Sequence, residues 1–348
     1  MEKGSTRVPL APLLDEAGGL AYRYVELPVK TRDCEIALKS LHRQNKNKNR
    51  VKTMPNLIRW SAWLFCCCAY LPAFAEVPYC PPSFEAPLEE GYEETVIAFP
   101  RGHLFQPLLA DPKESRFYLS YRSYQRSAEL SRVGVIGFGE TFPLVRRVGG
   151  CATDGLQLDI VGGGVARFVL DGGRNDLIDA DYTIAIPVSG RRGNISLRTR
   201  VFHESSHLGE NELFQSGTAQ RLKRDVNGFD MIGSYDEEKW RIYFGAEYLS
   251  YITPAGNTWG MHGGAEYYSA RYLFGGTARW VGGVDLKAYD EYDFETDVSI
   301  KAGFSFGGRR VSQQHLQLML TWYDGHANEG VLFSEKVRYY GAGLYFGF

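Results

Sequence analysis

The sequence predicts an all-β protein whose strands form a transmembrane antiparallel barrel, and three observations support this fold class. From about residue 115 onward, apolar and polar residues alternate in twelve segments separated by turn residues. The chain carries 22 Tyr, 20 Phe and 39 Gly, and its mean hydropathy is only −0.28. No run of about 18 apolar residues occurs, which excludes a bundle of membrane-spanning helices.

The twelve segments have the length that membrane strands need. Each is about 9–16 residues long, and a tilted strand needs roughly 9–11 residues to cross a bilayer. Strands of a soluble sandwich are shorter, about 5–6 residues, so we prefer the membrane barrel. The segments lie near 116–125, 131–139, 155–170, 178–189, 193–204, 220–234, 239–252, 258–269, 272–288, 294–307, 313–323 and 335–348.

The two faces of these segments differ in chemistry. One face carries aromatic and aliphatic side chains, including Trp240, Trp259 and Trp280, as the lipid-facing girdles of a barrel require. The opposite face carries charges, which we expect to line the lumen and to pair across it. They are Asp159, Arg167, Asp181, Arg198, Arg200, Glu247, Glu266, Asp285, Lys287 and Lys301.

The region before the barrel has the features of an exported precursor. Residues 54–75 contain a short basic part, an apolar part of about twelve residues and a final A-x-A, which together indicate a signal peptide. Twelve residues are too few for a transmembrane anchor. We therefore expect export through the Sec pathway, and we interpret residues 1–53 as an upstream extension before a true start at Met54.

Residues 76–114 are rich in Pro and acidic residues and predict a short, irregular periplasmic segment ahead of a barrel of residues 115–348. The periplasm is oxidising, so a disulfide between Cys80 and Cys151 can form, with two separate thiols as the alternative. Cys151 lies in 140–154, which we predict to be an unusually long periplasmic connection.

An even number of strands places both ends of the barrel at the periplasmic side. The longer connections, 205–219 and 324–334, are then extracellular. On the last segment Tyr340, Leu344, Phe346 and Phe348 share one face. Alternating apolar residues that end in Phe resemble the signal read by the outer-membrane assembly machinery. We expect the outer membrane of a Gram-negative bacterium as the location, with membrane lipid and lipopolysaccharide as partners and no nucleic acid.

Four segments resemble those of an uncharacterised bacterial family, domain of unknown function 1207 (DUF1207). The resemblance covers about residues 95–348 and implies no known activity. The segments are FPRGHLFQPLLADPKESRFYLSYR (99–122), FHESSHLGENE (202–212), VDLKAYDE (284–291) and YDGHANEG (323–330).

His203 and Ser205 form the sharpest candidate for catalysis. Two residues apart on a strand, they share the lipid-facing side about 6.5–7 Å apart. This pair is similar to the His-x-Ser pair of outer-membrane phospholipase and lipid A deacylase, in which His accepts the Ser proton. A third group should orient the imidazole. Asn227 has the right parity but is expected too far along its strand, and Glu210 or Glu212 would have to fold back from the loop. The alternative is a structured loop capped by Ser side chains.

Metal sites are less well supported. A site formed by His203, His207 and His326 would have to join residues six strands apart. Asp290, Glu291 and Asp293 lie in one connection and are weak candidates for Ca²⁺ that bridges lipopolysaccharide phosphates, although a solvated acidic loop has the same pattern. Any other cofactor stays unknown from the sequence.

Twelve strands enclose a lumen wider than an eight-stranded barrel and narrower than a porin. Our first interpretation is therefore a narrow channel, or a plugged barrel with a structural role, of unknown specificity. The alternative is an interfacial serine hydrolase of membrane-lipid esters that uses His203 and Ser205.

Overall fold

The computed structural model describes residues 95–127, 131–148, 154–171, 175–209, 223–253, 256–307, 315–329 and 332–347, together with four short strands near the N-terminus. The chain divides into two compact units, Met1–Ala75 and Glu76–Phe348. In the first unit, β1 (Thr6–Pro9) pairs with β4 (Tyr24–Leu27), and β2 (Leu13–Leu14) pairs with β3 (Leu20–Ala21). The predicted signal peptide, Cys80, Cys151 and Phe348 lie outside the described residues.

The described part of the second unit contains one short strand, β5 (Thr95–Ala98), and the strands of the predicted barrel. Single 3-10 turns, Phe274–Gly276 and Asp290–Tyr292, occupy two of the connections. The barrel strands are β6 (Phe117–Arg126), β7 (Arg132–Val148), β8 (Gly155–Val169), β9 (Leu177–Arg192), β10 (Ile195–Leu208), β11 (Lys223–Asp236), β12 (Trp240–Thr253), β13 (Gly256–Leu273), β14 (Ala278–Tyr289), β15 (Thr296–Gly307), β16 (His315–His326) and β17 (Lys336–Gly347).

Each barrel strand pairs antiparallel with the next, and the last strand closes the sheet on the first. Phe346 of β17 lies opposite Phe117 of β6, and Tyr345 lies opposite Tyr118. The rings of Tyr118 and Tyr345 stack inside this seam with centroids 5.1 Å apart. The twelve-stranded antiparallel barrel is therefore confirmed. Among the described residues, no helix combines the length and apolar character needed to span a membrane.

The predicted long connection at 140–154 is wrong, because β7 continues to Val148. Its extension pairs with β8 on one side and with β5 on the other, where Ala98 lies opposite Val145. Pro143, which suggests a turn in the sequence, sits at a register shift between the two strands. A strand tolerates Pro at such a bulge, where no ladder hydrogen bond from its nitrogen is needed.

The alternation separates an apolar outside from a charged inside. On β16, Leu318 and Leu320 face outward with 47% and 67% exposure, whereas the inward Gln317 and Met319 are buried. Trp240, Trp259 and Trp280, predicted on the apolar face, are exposed. The predicted lumen charges are buried, apart from the half-buried Arg200. An apolar outer surface of this kind is stable only in contact with lipid. The protein is therefore a membrane barrel.

The two ends of the barrel differ in their connections. We call the end with the connections 193–194 and 237–239 the turn rim, and the opposite end, with 209–222 and 327–335, the loop rim. The two connections predicted to be long do lie at the same rim. Tyr340, Leu344 and Phe346 face outward on β17, as predicted. Their role in barrel insertion stays a prediction.

The expectation that residues 76–114 lie outside the barrel is wrong for its described end. Leu104, Phe105, Leu108, Leu109 and Ala110 are at most 4% exposed, although no strand contains them. The chain enters the barrel after β5, where Phe99 and Gly102 have positive φ angles of 50° and 73°. We call residues 99–116 the lumen segment.

Leu320→Arg tests the orientation of the outer face. Leu320 lies in the middle of β16, so an arginine there would face the bilayer core and should lower the free energy of unfolding by about 2–4 kcal/mol. Thr296→Arg at the loop rim is the control and should cost about 0–1 kcal/mol. Urea unfolding in lipid vesicles measures both; equal losses would contradict the assigned membrane position.

Candidate functional site

The lumen segment is held by side chains of the barrel wall that bond its backbone. Arg146 donates to the carbonyl of Gly102 at 2.7 Å, and Arg241 donates to that of Pro107 at 3.3 Å. Glu266 accepts the N–H of Leu109 at 2.6 Å. An irregular segment cannot satisfy its own buried backbone groups, so these wall side chains take the place of a sheet ladder.

Phe105 is the central apolar contact of the lumen segment. The guanidinium carbons of Arg198 and Arg241 lie 4.8 and 4.7 Å from its ring centroid. Desolvated contacts between a guanidinium and an aromatic ring contribute about 2 kcal/mol each. The ring therefore stabilises two wall cations that the narrow interior brings close together.

Charged residues of the lumen segment pair with inward-facing wall residues. Asp111 accepts from Lys287 at 2.9 Å, Glu114 accepts from Arg198 at 3.0 Å, and Lys113 contacts Glu204. Removing one partner of a buried pair of this kind costs about 3–5 kcal/mol, because the other charge stays buried. The lumen segment thus fills the middle of the barrel as a fixed part of its interior.

A second feature lies on the lipid-facing side of β10 and β11, near the loop rim. We call His203, Ser205, His207 and Asn227 the polar row. His203 lies opposite Asn227 in the register of β10 and β11, and its Nδ1 is 2.9 Å from the amide oxygen of Asn227. The neighbouring residues of β10, Glu204 and Ser206, face the lumen and are buried.

The structure therefore supplies the third group that the sequence pattern lacked. The expectation that Asn227 lies too far along its strand is wrong, because β11 begins at Lys223 and reaches the level of His203 after four residues. Register across the connection 209–222 cannot be counted from the sequence. Glu210 and Glu212, the other candidates to orient the imidazole, lie outside the described residues.

The hydroxyl of Ser205 bonds a different imidazole from the predicted one. Ser205 Oγ lies 2.8 Å from Nε2 of His207, a residue that the sequence considered only as a metal ligand. His207 in turn packs near the ring of Tyr182, with centroids 6.0 Å apart. Ser205 is thus flanked on one face by two imidazoles, each two residues away along β10.

The predicted metal ligands are not brought together. His326 faces the lumen, where its Nδ1 lies 2.9 Å from Oδ1 of Asp297 and its ring stacks on Tyr292. His203 and His207 face outward. His326 and the two outward histidines therefore cannot share an ion.

The acidic residues of the connection between β14 and β15 also take part in separate interactions. Asp290 accepts from the hydroxyl of Thr258 and from the N–H of Trp259, and these bonds lower the pKa of its carboxyl. Glu291 accepts from the hydroxyl of Tyr251 at 2.6 Å, and Asp293 forms a left-handed cap of the 3-10 turn. The three carboxyl-bearing residues thus have separate structural roles here, and Ca²⁺ at this connection stays an untested expectation.

A cavity open to solvent lies between the lumen segment and the loop rim. Each of the four segments that carry the family resemblance contributes to its lining, for example through Lys113, Glu204, Tyr289 and His326. These segments are distant in the sequence and meet because the barrel is closed. The four family-like segments therefore meet at one cavity inside the barrel.

The family model described as "Protein of unknown function (DUF1207)" matches residues 91–348. No curated protein matches the sequence. The structure is similar to outer membrane phospholipase A from Escherichia coli, with 9% identity over 67% of this chain and 93% of that chain and a TM-score of 0.46. It is also similar to the β domain of the Bordetella autotransporter BrkA, with 12% identity over 67% and 97% and a TM-score of 0.38. These similarities concern the fold alone.

Replacing residues 103–114 by a Gly-Ser linker of equal length should open the barrel. The variant loses the side chains that fill the lumen, so we expect discrete conductance steps in planar bilayers and silence from the wild-type protein. Heat-modifiable gel mobility confirms that both barrels are folded. Steps from the wild-type protein, or silence from the folded variant, would contradict the assignment of this segment as a plug.

Proposed function

We propose that this chain, which belongs to the DUF1207 family, hydrolyses ester bonds of membrane lipids at the loop rim of an outer-membrane barrel. The observation that carries the proposal is the hydrogen bond between His203 and Asn227 beside Ser205 on the lipid-facing surface. It supplies a nucleophile, a base and an orienting group within one polar row. The substrate class is an acyl ester of a phospholipid or of lipid A.

The roles follow from the atoms that face one another. Asn227 offers its amide oxygen to Nδ1 of His203, so Nδ1 carries the proton and Nε2 keeps its lone pair. Nε2 can then take the proton of Ser205 while Oγ attacks the ester carbonyl, and return it to the leaving alcohol. Water attacks the acyl-enzyme in the second half-reaction, with the same imidazole as base.

The hydroxyl of Ser205 must turn from His207 toward His203 for this chemistry. Its Cβ lies on the same face as both imidazoles, and a serine side chain changes between staggered rotamers without backbone movement. The bond between Ser205 and His207 therefore describes a resting arrangement.

The position of the polar row supports a role in function. Polar and ionisable side chains on the lipid side of a barrel are costly, and they need a partner or a purpose there. His203, Ser205, His207 and Asn227 occupy four lipid-facing positions on two adjacent strands. Near a rim they can meet both the ester of a lipid and the water that the second half-reaction consumes.

A barrel without catalytic activity is the second candidate. The lumen segment favours a plugged barrel with a structural or surface role over a narrow channel. A filled lumen is also compatible with hydrolysis, because a site on the outer surface needs no passage through the barrel. Lipopolysaccharide and membrane lipid as partners, and insertion by the assembly machinery through β17, remain part of the proposal.

Single substitutions in the polar row test the proposed roles in reconstituted vesicles. Ser205→Ala should abolish fatty-acid release from phospholipid or lipid A, and His203→Ala should slow it by about 10²–10⁴. Asn227→Ala should cause a smaller loss, mainly in kcat, because the imidazole loses only its orientation. His207→Ala should retain activity.

Ser206→Ala is the matched control, since Ser206 is the next residue of the same strand but faces the lumen. It should leave the rate unchanged. Unchanged turnover in both Ser205→Ala and His203→Ala would end the hydrolase proposal. Loss in His207→Ala with retention in His203→Ala would reassign the base.

A further inference from the structure

Three buried side chains from three segments meet in the barrel interior. Asp111 belongs to the lumen segment, His262 to β13 and Asp285 to β14, and each is at most 3% exposed. One nitrogen or oxygen atom from each lies within 4.8 Å of the others. His262 Nε2 is 2.6 Å from Asp285 Oδ2. His262 lies opposite Lys287 in the β13–β14 register, and Asp285 is its diagonal neighbour on the same inward face.

Charges of both signs surround this cluster. Arg200 and Lys301 interact with Asp111, although Arg200 is itself paired with Asp230. The ammonium of Lys287 faces three carboxylates, those of Asp111, Asp285 and Glu247. The hydroxyls of Tyr243 and Tyr289 donate to Asp285 and Glu247, but they bring no charge. Asp111 and Asp285 are both buried, and a buried carboxylate is costly unless a cation or donor pairs with it. A cation bound to both would therefore stabilise this arrangement.

One oxygen of Asp111 is available to such a cation. Lys287 occupies Oδ1 at 2.9 Å, whereas Oδ2 is fully buried and has no hydrogen-bond partner within the described residues. A buried carboxylate oxygen without a partner is rare in folded proteins and calls for a specific explanation. This orphaned oxygen belongs to one of the three residues whose donor atoms already converge.

We propose that Asp111, His262 and Asp285 bind one divalent transition-metal ion of the zinc type, which fastens the lumen segment to the wall. An imidazole with two carboxylates suits zinc, whereas Ca²⁺ and Mg²⁺ favour oxygen ligands alone. Bonds of about 2.0–2.1 Å in a tetrahedron separate the donor atoms by about 3.3 Å. His262 and Asp285 therefore need to part by less than about 1 Å, and Lys287 can stay on the other oxygen of Asp111.

Metal content of the folded protein tests the proposal. The full barrel is purified without a polyhistidine tag, dialysed against Zn²⁺ and then against metal-free buffer, and measured by plasma mass spectrometry. Wild type should retain about one Zn²⁺ per chain, and His262→Ala and Asp285→Asn less than about a tenth of that. Chelation should lower the melting temperature of wild type and leave that of His262→Ala unchanged.

His326→Ala is the matched control, because His326 also forms a buried pair with an aspartate but stands outside the cluster. It should retain the wild-type zinc content, and Ca²⁺ or Mg²⁺ should not replace zinc. Heat-modifiable gel mobility identifies the variants that fold. If His262→Ala or Asp285→Asn does not fold, Asp111→Asn is measured in its place. A folded wild-type barrel without zinc, or a folded His262→Ala with full zinc, would overturn the proposal. Ser205→Ala should bind zinc normally, so this test does not depend on the hydrolase proposal.

Discussion

The interior of a twelve-stranded barrel must be filled, and most of this structure follows from how the chain fills it. Side chains of the wall alone just fill a barrel of about eight strands. Here the wall places Arg198, Arg241 and Lys287 toward the axis, and these cations need partners once water is excluded. The lumen segment provides those partners: a carboxylate for Arg198, a carboxylate for Lys287 and the ring of Phe105 between two guanidinium groups. The charges of the barrel wall and of the lumen segment therefore stabilise one another.

The same pairings position the chemistry on the outside of the barrel. On β10, Arg198 bonds Glu114 of the lumen segment, and Arg200 bonds Asp230 directly opposite it on β11. The second pair favours the observed register of β10 against β11, and both keep this face of β10 turned inward. A slip of one residue would turn every side chain of β10 to the other face. The inward ion pairs thus keep His203 and Ser205 on the lipid-facing side. Contacts in the lumen therefore help to orient the polar row, although the two do not touch.

The path of the chain explains how a barrel acquires an internal plug without a separate domain. β5 and β6 both pair antiparallel with β7, on the same side of that strand. The lumen segment is the stretch of chain that connects them. Because both ends of the lumen segment are fixed to one strand, the segment loses little further conformational entropy when it docks inside the barrel. Its irregular backbone is acceptable at membrane depth because protein, and not lipid, surrounds it.

The sequence by itself determined the fold class, the number of barrel strands and the face of the residues within the twelve predicted segments, because alternation with a period of two is a local property. It also identified His203 and Ser205 as sharing one face. Only the tertiary structure decided which residues meet across strands: Asn227 with His203, His207 with Ser205, and Asp111 with His262 and Asp285. Register across long connections and the entry of residues 99–116 into the lumen depend on contacts far apart in the chain. A Pro-rich stretch has the same local pattern whether it lies outside a barrel or within it. Its position was therefore decided only by the tertiary structure, in which the closed wall turns its charged side chains inward.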